Sequence, residues 1–166
     1  MSNQAFATPS TAAAEVLRTY WDHQLPVRVD TIATQMGLGL QPQQNMGWSG
    51  HYFATDDPKN TTGRPWIIFN VNDSAPRQRF TIAHELGHHV LGHGTSPRDT
   101  SNMLSSSTGN WKERAANQFA AEILMPADVI RLALSRGYST VPQLATLFGV
   151  SQAAMGYRMI NLGLSQ

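Results

Sequence analysis

The chain has no cysteine. That one absence excludes a disulfide framework, a thiolate metal site and a cysteine nucleophile. Charge is also scarce. Asp, Glu, Lys and Arg make up 14% of the 166 residues and the formal net charge is +1, well below the usual charged share of about a quarter. A nearly neutral chain has no general attraction to nucleic acid or to an anionic membrane. No stretch approaches the roughly eighteen consecutive apolar residues of a membrane span. The opening residues, MSNQAFATPSTAAAEVLRTY, have neither a basic start nor an apolar run of secretory-signal length, so the expected compartment is the cytoplasm. At 41% hydrophobic residues, a chain of this length is expected to bury its own core as one domain.

Against that sparse background, one stretch is crowded. RQRFTIAHELGHHVLGH, residues 77–93, holds four of the chain's six histidines. An imidazole brings a donor and an acceptor that burial leaves to be satisfied, so a core has little use for such a cluster. Within it, His84-Glu85-Leu86-Gly87-His88 is an H-E-x-x-H pattern. For a chain with this many His and Glu, the pattern arises by chance in only about 0.5% of shuffles, which makes it a specific signal.

The rest of the chain reads as α+β. Thr11–Trp21 and Val27–Met36 are predicted helices, the second stopped by Gly37. Leu38–Gln41, Gly50–Thr55 and Trp66–Val71 are short, rich in aromatic and β-branched residues and separated by Pro, Gly and Asn, and they predict a small, mostly antiparallel sheet. From Ala75 onward helical signals dominate. Pro76 suits a first helical turn, and Gly92 and Gly94 mark the end of that helix. Gly94–Asn110 is a polar loop of seventeen residues, long enough to act as a lid. Helices are predicted at Trp111–Met125, Ala127–Arg136, Val141–Phe148 and Gln152–Asn161. The expected order within the single domain 1–166 is N-terminal helices over 1–37, sheet over 38–72, metal-site helices over 76–136 and a helix-turn-helix-like support over 137–166.

Residues four apart on a helix share a face, with Cβ atoms about 5–6 Å apart. His84 and His88 are therefore placed to give one imidazole nitrogen each to a single zinc ion. Glu85, about 100° round the helix, lies beside that ion and suits a general base. Gly87 leaves room for another element to come close. A longer motif with a third histidine would need Gly at 91 and His at 94, but the chain has Leu91 and Gly94. His89 and His93 are thus read as supporting or solvent-facing groups rather than ligands. The candidates for a third ligand are Asp99, Glu113 and Glu122. Asp99 is in the loop, and loops hold ligands less precisely. Glu113 and Glu122, nine residues apart, point to opposite faces of their helix. Glu113 shares its face with Ala116, Asn117, Ala120 and Leu124, a stripe suited to packing on the Gly87 turn. Glu113 is therefore the preferred ligand, and Glu122 is expected to pair with a base or water.

Three blocks in this order, RQRFTIAHELGHHVLGH, KERAANQFAAEILMP and LATLFGVSQAAMGYRMINLGL, closely resemble the ImmA/IrrE family of zinc metallopeptidases. The resemblance runs from about Trp66 to the end of the chain. It implies a zincin-like fold, Zn2+ held by His84, His88 and Glu113, and Glu85 as catalytic base. It also implies a substrate: a helix-turn-helix repressor of XRE type, or an antitoxin-like partner, in stress, prophage or mobile-element regulation. His89, His93, Asn117 and Tyr157 are candidates to support the ligands or touch substrate. Tyr157, Tyr138, His89 and His93 are unranked candidates for stabilising an oxyanion. The strand PWIIFNV is expected to take substrate as an added β-strand, covered by Gly94–Asn110.

Two other readings compete. The C-terminal segment looks like a helix–turn–helix about Gly149-Val150-Ser151, but Arg158 is the only charged residue from Gly137 to Gln166. DNA readers depend on Lys and Arg, so direct DNA binding is not expected; packing against the core or docking of the repressor is. The second is a non-catalytic partner that binds its regulator through a peptidase-like fold. Glu85 argues against it, since a structural metal site has no use for a base. The oligomeric state is not legible in the sequence.

Overall fold

The first helix, α1 (Pro9–Tyr20), begins two residues before the predicted start because Thr8 caps it. The Thr8 hydroxyl accepts the Thr11 amide at 3.2 Å, and Pro9 fills a position whose N–H would go unused. The computed structural model describes residues 8–95 and 110–164. Within them α2 (Val29–Gln35) is followed by β1 (Gly39–Gln43), β2 (Gly50–Phe53) and β3 (Trp66–Asn70), then by α3 (Ala75–Val90) and α4 (Asn110–Leu124). The chain ends in α5 (Ala127–Ser135), α6 (Val141–Phe148) and α7 (Gln152–Asn161). The architecture is α+β. No helix among the described residues is long and apolar enough to cross a membrane.

The three strands lie in the order β1-β3-β2. β2 pairs antiparallel with β3, as expected, but β1 pairs parallel, Gly39 opposite Trp66 and Gln43 opposite Asn70, so the sheet is mixed. The reason lies in the short link 44–49. β1 ends beside Asn70 and β2 starts opposite Phe69, at the same end of β3. Two successive strands on opposite edges, joined across one end, must run in opposite directions. Asn70 fastens this link, its buried side-chain amide donating to Met46 O at 3.2 Å and Trp48 O at 3.4 Å. This order corrects one expectation. PWIIFNV forms the central strand, with both edges already paired, and cannot accept an added strand; the outer edges belong to β1 and β2.

α3 and α4 pack against each other beneath the sheet, around Ile82, Leu86, Phe119, Ala120 and Ile123, all buried. Each large side chain among them contributes roughly 1.5–3 kcal/mol through burial. The C-terminal unit is part of this core. Leu144, Phe148 and Met155 are fully buried, and Arg79 of α3 reaches across to it, Nε donating to Gly149 O at 3.1 Å and Nη2 to Val27 O at 2.7 Å. Arg158, the one charge of the C-terminal segment, is buried: Nη2 pairs with Glu122 and Nε donates to Met125 O at 3.0 Å. α7 therefore turns its cation inward rather than toward a phosphate backbone.

Candidate metal centre

α3 exists as a long helix because Ser74 caps its start, accepting the Arg77 amide, and Gly92 ends it. Its buried part, Thr81–His88, presents two adjacent stripes to two neighbours. His84 and His88 face α4. Thr81, Glu85 and His89 face β2. Both stripes follow from the four-residue spacing, rotated about 100° from one another.

On the first stripe, His84 Nε2 and His88 Nε2 lie 3.1 Å apart. Glu113 closes the triangle, with Oε2 3.1 Å from His84 Nε2 and Oε1 3.1 Å from His88 Nε2. α4 can come this close because position 87 is glycine. A Cβ there would lie 3.1 Å from Phe119 Cδ1 and 3.3 Å from the backbone of Ala116, one turn along α4 from Glu113. Glu122 is on the far face of α4, with Oε2 on Arg158 and Oε1 accepting the Ala127 amide at 3.2 Å.

The far nitrogens of both histidines are held. His84 Nδ1 donates to Asn117 Oδ1 at 2.8 Å, and His88 Nδ1 lies 2.9 Å from His93 Nδ1. With its proton on Nδ1, His84 points its Nε2 lone pair inward. Burial, the neighbouring His88 and Lys112 push His93 down to about 4. Both Nε2 atoms and both Glu113 oxygens converge here, a donor set of two imidazoles and a carboxylate that suits a cation. Zinc–nitrogen distances of about 2.0–2.1 Å in a tetrahedral site put ligand atoms about 3.3 Å apart, which the observed 3.1 Å separations approach. The residues fit a divalent ion.

On the second stripe Glu85 is 3% exposed, and His84, Glu85 and His88 offer ligand atoms all within 4.8 Å of one another. β2 presses on this stripe through its alternate residues. A Cβ on Gly50 would fall 2.3 Å from Thr81 Cγ2 and 3.8 Å from Glu85 Cγ, so only glycine lets the strand pass beside the acid. Two residues on, the Tyr52 hydroxyl meets His89 Nδ1 at 2.8 Å. His89 therefore belongs to the strand contact, not to the ligand triangle. Tyr157 is 71% exposed on α7 and Tyr138 is exposed after α5, so neither is drawn into the site. Asp99 and most of the loop Gly94–Asn110 lie outside the described residues. The sequence reading missed Gly50, Tyr52 and Arg79. Gly50 alone carried a signal, as a glycine at the head of a strand, where backbone approaches closely.

Comparison with known proteins agrees with this geometry. Residues 33–159 match the peptidase family described as the IrrE N-terminal-like domain. A curated relative, Metallopeptidase ImmA of Bacillus subtilis (strain 168), is 29% identical over 98 residues, which cover 58% of this chain and 57% of that protein. The chain thus aligns with little more than half of the relative's length.

Proposed function

The chain belongs to the ImmA/IrrE peptidase family, and from that premise we propose that it is a zinc-dependent endopeptidase. The observation that carries this reading is the convergence of Glu113 on both histidines at 3.1 Å, with Glu85 buried at the next position. His84, His88 and Glu113 would hold the ion. A bound zinc would polarise the scissile carbonyl and acidify a water beside it.

The chain's own groups supply the rest. Glu85 accepts the proton of the attacking water and passes it to the departing amine. Asn117 keeps the His84 ligand nitrogen turned inward. The burial of Glu85 and the close passage of β2 keep bulk water from the base. Substrate would add to the outer edge of β2, which has no strand partner among the described residues and runs past Glu85 at Gly50. Phe80, one turn before His84 and with its ring 6.3 Å from that imidazole, also lines a cavity of about 550 Å³ with Asp73, Arg77, Val150 and Ala154, which would offer space for a substrate side chain. We take the substrate to be a helix-turn-helix regulator of XRE type, met in the cytoplasm; the block resemblance supports that choice.

The test is Glu85→Gln with a helix-turn-helix repressor encoded next to this chain's gene as substrate. Gln keeps the shape and every metal ligand but accepts no proton, so cleavage should fall by roughly 10²–10⁴-fold while zinc content and repressor pull-down stay unchanged. Cleavage at the wild-type rate by the variant would refute the mechanism. A wild type that binds the repressor but cleaves nothing would establish a non-catalytic partner instead.

A further inference from the structure

α3 does not simply stop at its last turn. Leu91 is the cap, and Gly92 follows with φ of 67°. The Gly92 amide donates to His89 O at 3.2 Å and the His93 amide to His88 O at 3.0 Å. This is the paired pattern of a Schellman ending, in which the residue two past the cap returns over the third residue before it. Such endings usually bring two apolar side chains together. Here they bring His93 onto His88, with Nδ1 to Nδ1 at 2.9 Å and His93 buried. Three consecutive residues of α4 secure the arrangement. Trp111 sets its ring edge-on to His93 at 5.3 Å, Lys112 donates to the His93 carbonyl at 3.2 Å, and Glu113 meets His84 and His88.

We infer that His93 is a positioning residue: its Nδ1 accepts the His88 Nδ1 proton, which fixes the His88 tautomer and aims Nε2 at the ion. The inference rests on the metallopeptidase reading only in taking His88 Nε2 as a ligand. A histidine at the end of the motif helix, five residues beyond the second motif histidine, then does for His88 what the amide of Asn117 does for His84. Groups that hold the far nitrogen of a ligating histidine typically matter by 10–100-fold in metal affinity.

Two substitutions separate the hydrogen bond from packing. His93→Phe keeps an aromatic ring against Trp111 and removes the acceptor. His93→Asn loses the ring but can place Oδ1 where Nδ1 was. Zinc affinity of the full chain, measured by chelator competition, should fall roughly 10–100-fold in His93→Phe and stay within about threefold of wild type in His93→Asn. The absorption spectrum of the cobalt-substituted protein should change only in His93→Phe, and thermal melts of the metal-free forms should coincide. Wild-type affinity in His93→Phe overturns the inference, as does an equal loss in both variants. If wild type itself binds no divalent ion, it is the metallopeptidase reading that fails.

Discussion

Gly87→Ala isolates the helix contact on which the ligand triangle depends. The new Cβ would sit 3.1 Å from Phe119 Cδ1 and 3.3 Å from both Cα and O of Ala116. Unstrained carbon contacts lie at about 3.5–4.0 Å, so the atoms must part by a few tenths of an ångström. Phe119 is fully buried and the other two atoms are backbone, so α4 itself has to move. For stability two effects oppose. Alanine gains roughly 1 kcal/mol over glycine inside a helix, and overpacking costs roughly 1–3 kcal/mol. The net loss is at most about 2 kcal/mol, or a fall in Tm of no more than about 8 °C for a domain of this size. For the metal nothing offsets the shift. Glu113 is one turn from Ala116 and moves with it, and metal–ligand distances tolerate only about ±0.2 Å. Zinc affinity should therefore fall at least tenfold while the metal-free melt changes little. Gly156→Ala is the control. It lies inside α7 with nothing within 4 Å of its Cβ position, so it should leave metal binding alone. Wild-type zinc affinity in Gly87→Ala would show that the Glu113 side chain absorbs the shift and that the close approach is not what sets the site.

Glu113→Ala and Glu122→Ala should have opposite effects. The first should lose zinc on dialysis with its fold intact; the second should keep zinc but lose about 3–5 kcal/mol, because Arg158 is left buried without its carboxylate. Metal analysis and urea unfolding check both, and the reverse pattern would put the wrong face of α4 toward the histidines. Tyr52→Phe tests the β2 contact through pH. Burial, with Asp56 nearby, raises the Tyr52 hydroxyl above its ordinary value of 10, so above about pH 10 the unfolded chain ionises first and wild-type stability falls as pH rises. The variant cannot titrate there. Its stability relative to wild type should be flat below pH 10 and improve above it, and a constant difference at all pH values would contradict the burial of that hydroxyl.

The helices were legible because each carries its own local signals. Ser74, Thr140 and Ser151 cap three of them through their side chains, and glycines follow several ends, so predicted and observed boundaries differ by no more than two residues. Strand direction has no such local signal. The parallel pairing of β1 arises from where a six-residue link has to land, and alternation of apolar residues says nothing about that. Arg79 was missed for a related reason: its partners Val27 and Gly149 lie 52 and 70 residues away. The approach of Glu113 to the two histidines was reachable, since nine residues between two acids on one helix is a half-turn difference, and only one face carried the small residues that a glycine on the facing helix requires.

The division of labour that helix spacing predicts within the motif does not follow from distance alone. Glu85 and both histidines lie within 4.8 Å of each other, so distance by itself would make Glu85 as good a ligand as Glu113. What separates the two carboxylates is the neighbour each one meets. Glu113 arrives on α4, the helix that the His84–His88 stripe faces, and spans both Nε2 atoms with its two oxygens. Glu85 is on the stripe facing β2, where Gly50 brings a strand edge against it. Glu85 there lies beside the strand to which, in the proposed mechanism, a peptide would add, within reach of a carbonyl between strand and ion. In the proposed mechanism the one-residue step from His84 to Glu85 separates binding the ion from serving the substrate, through the two surfaces packed on the helix.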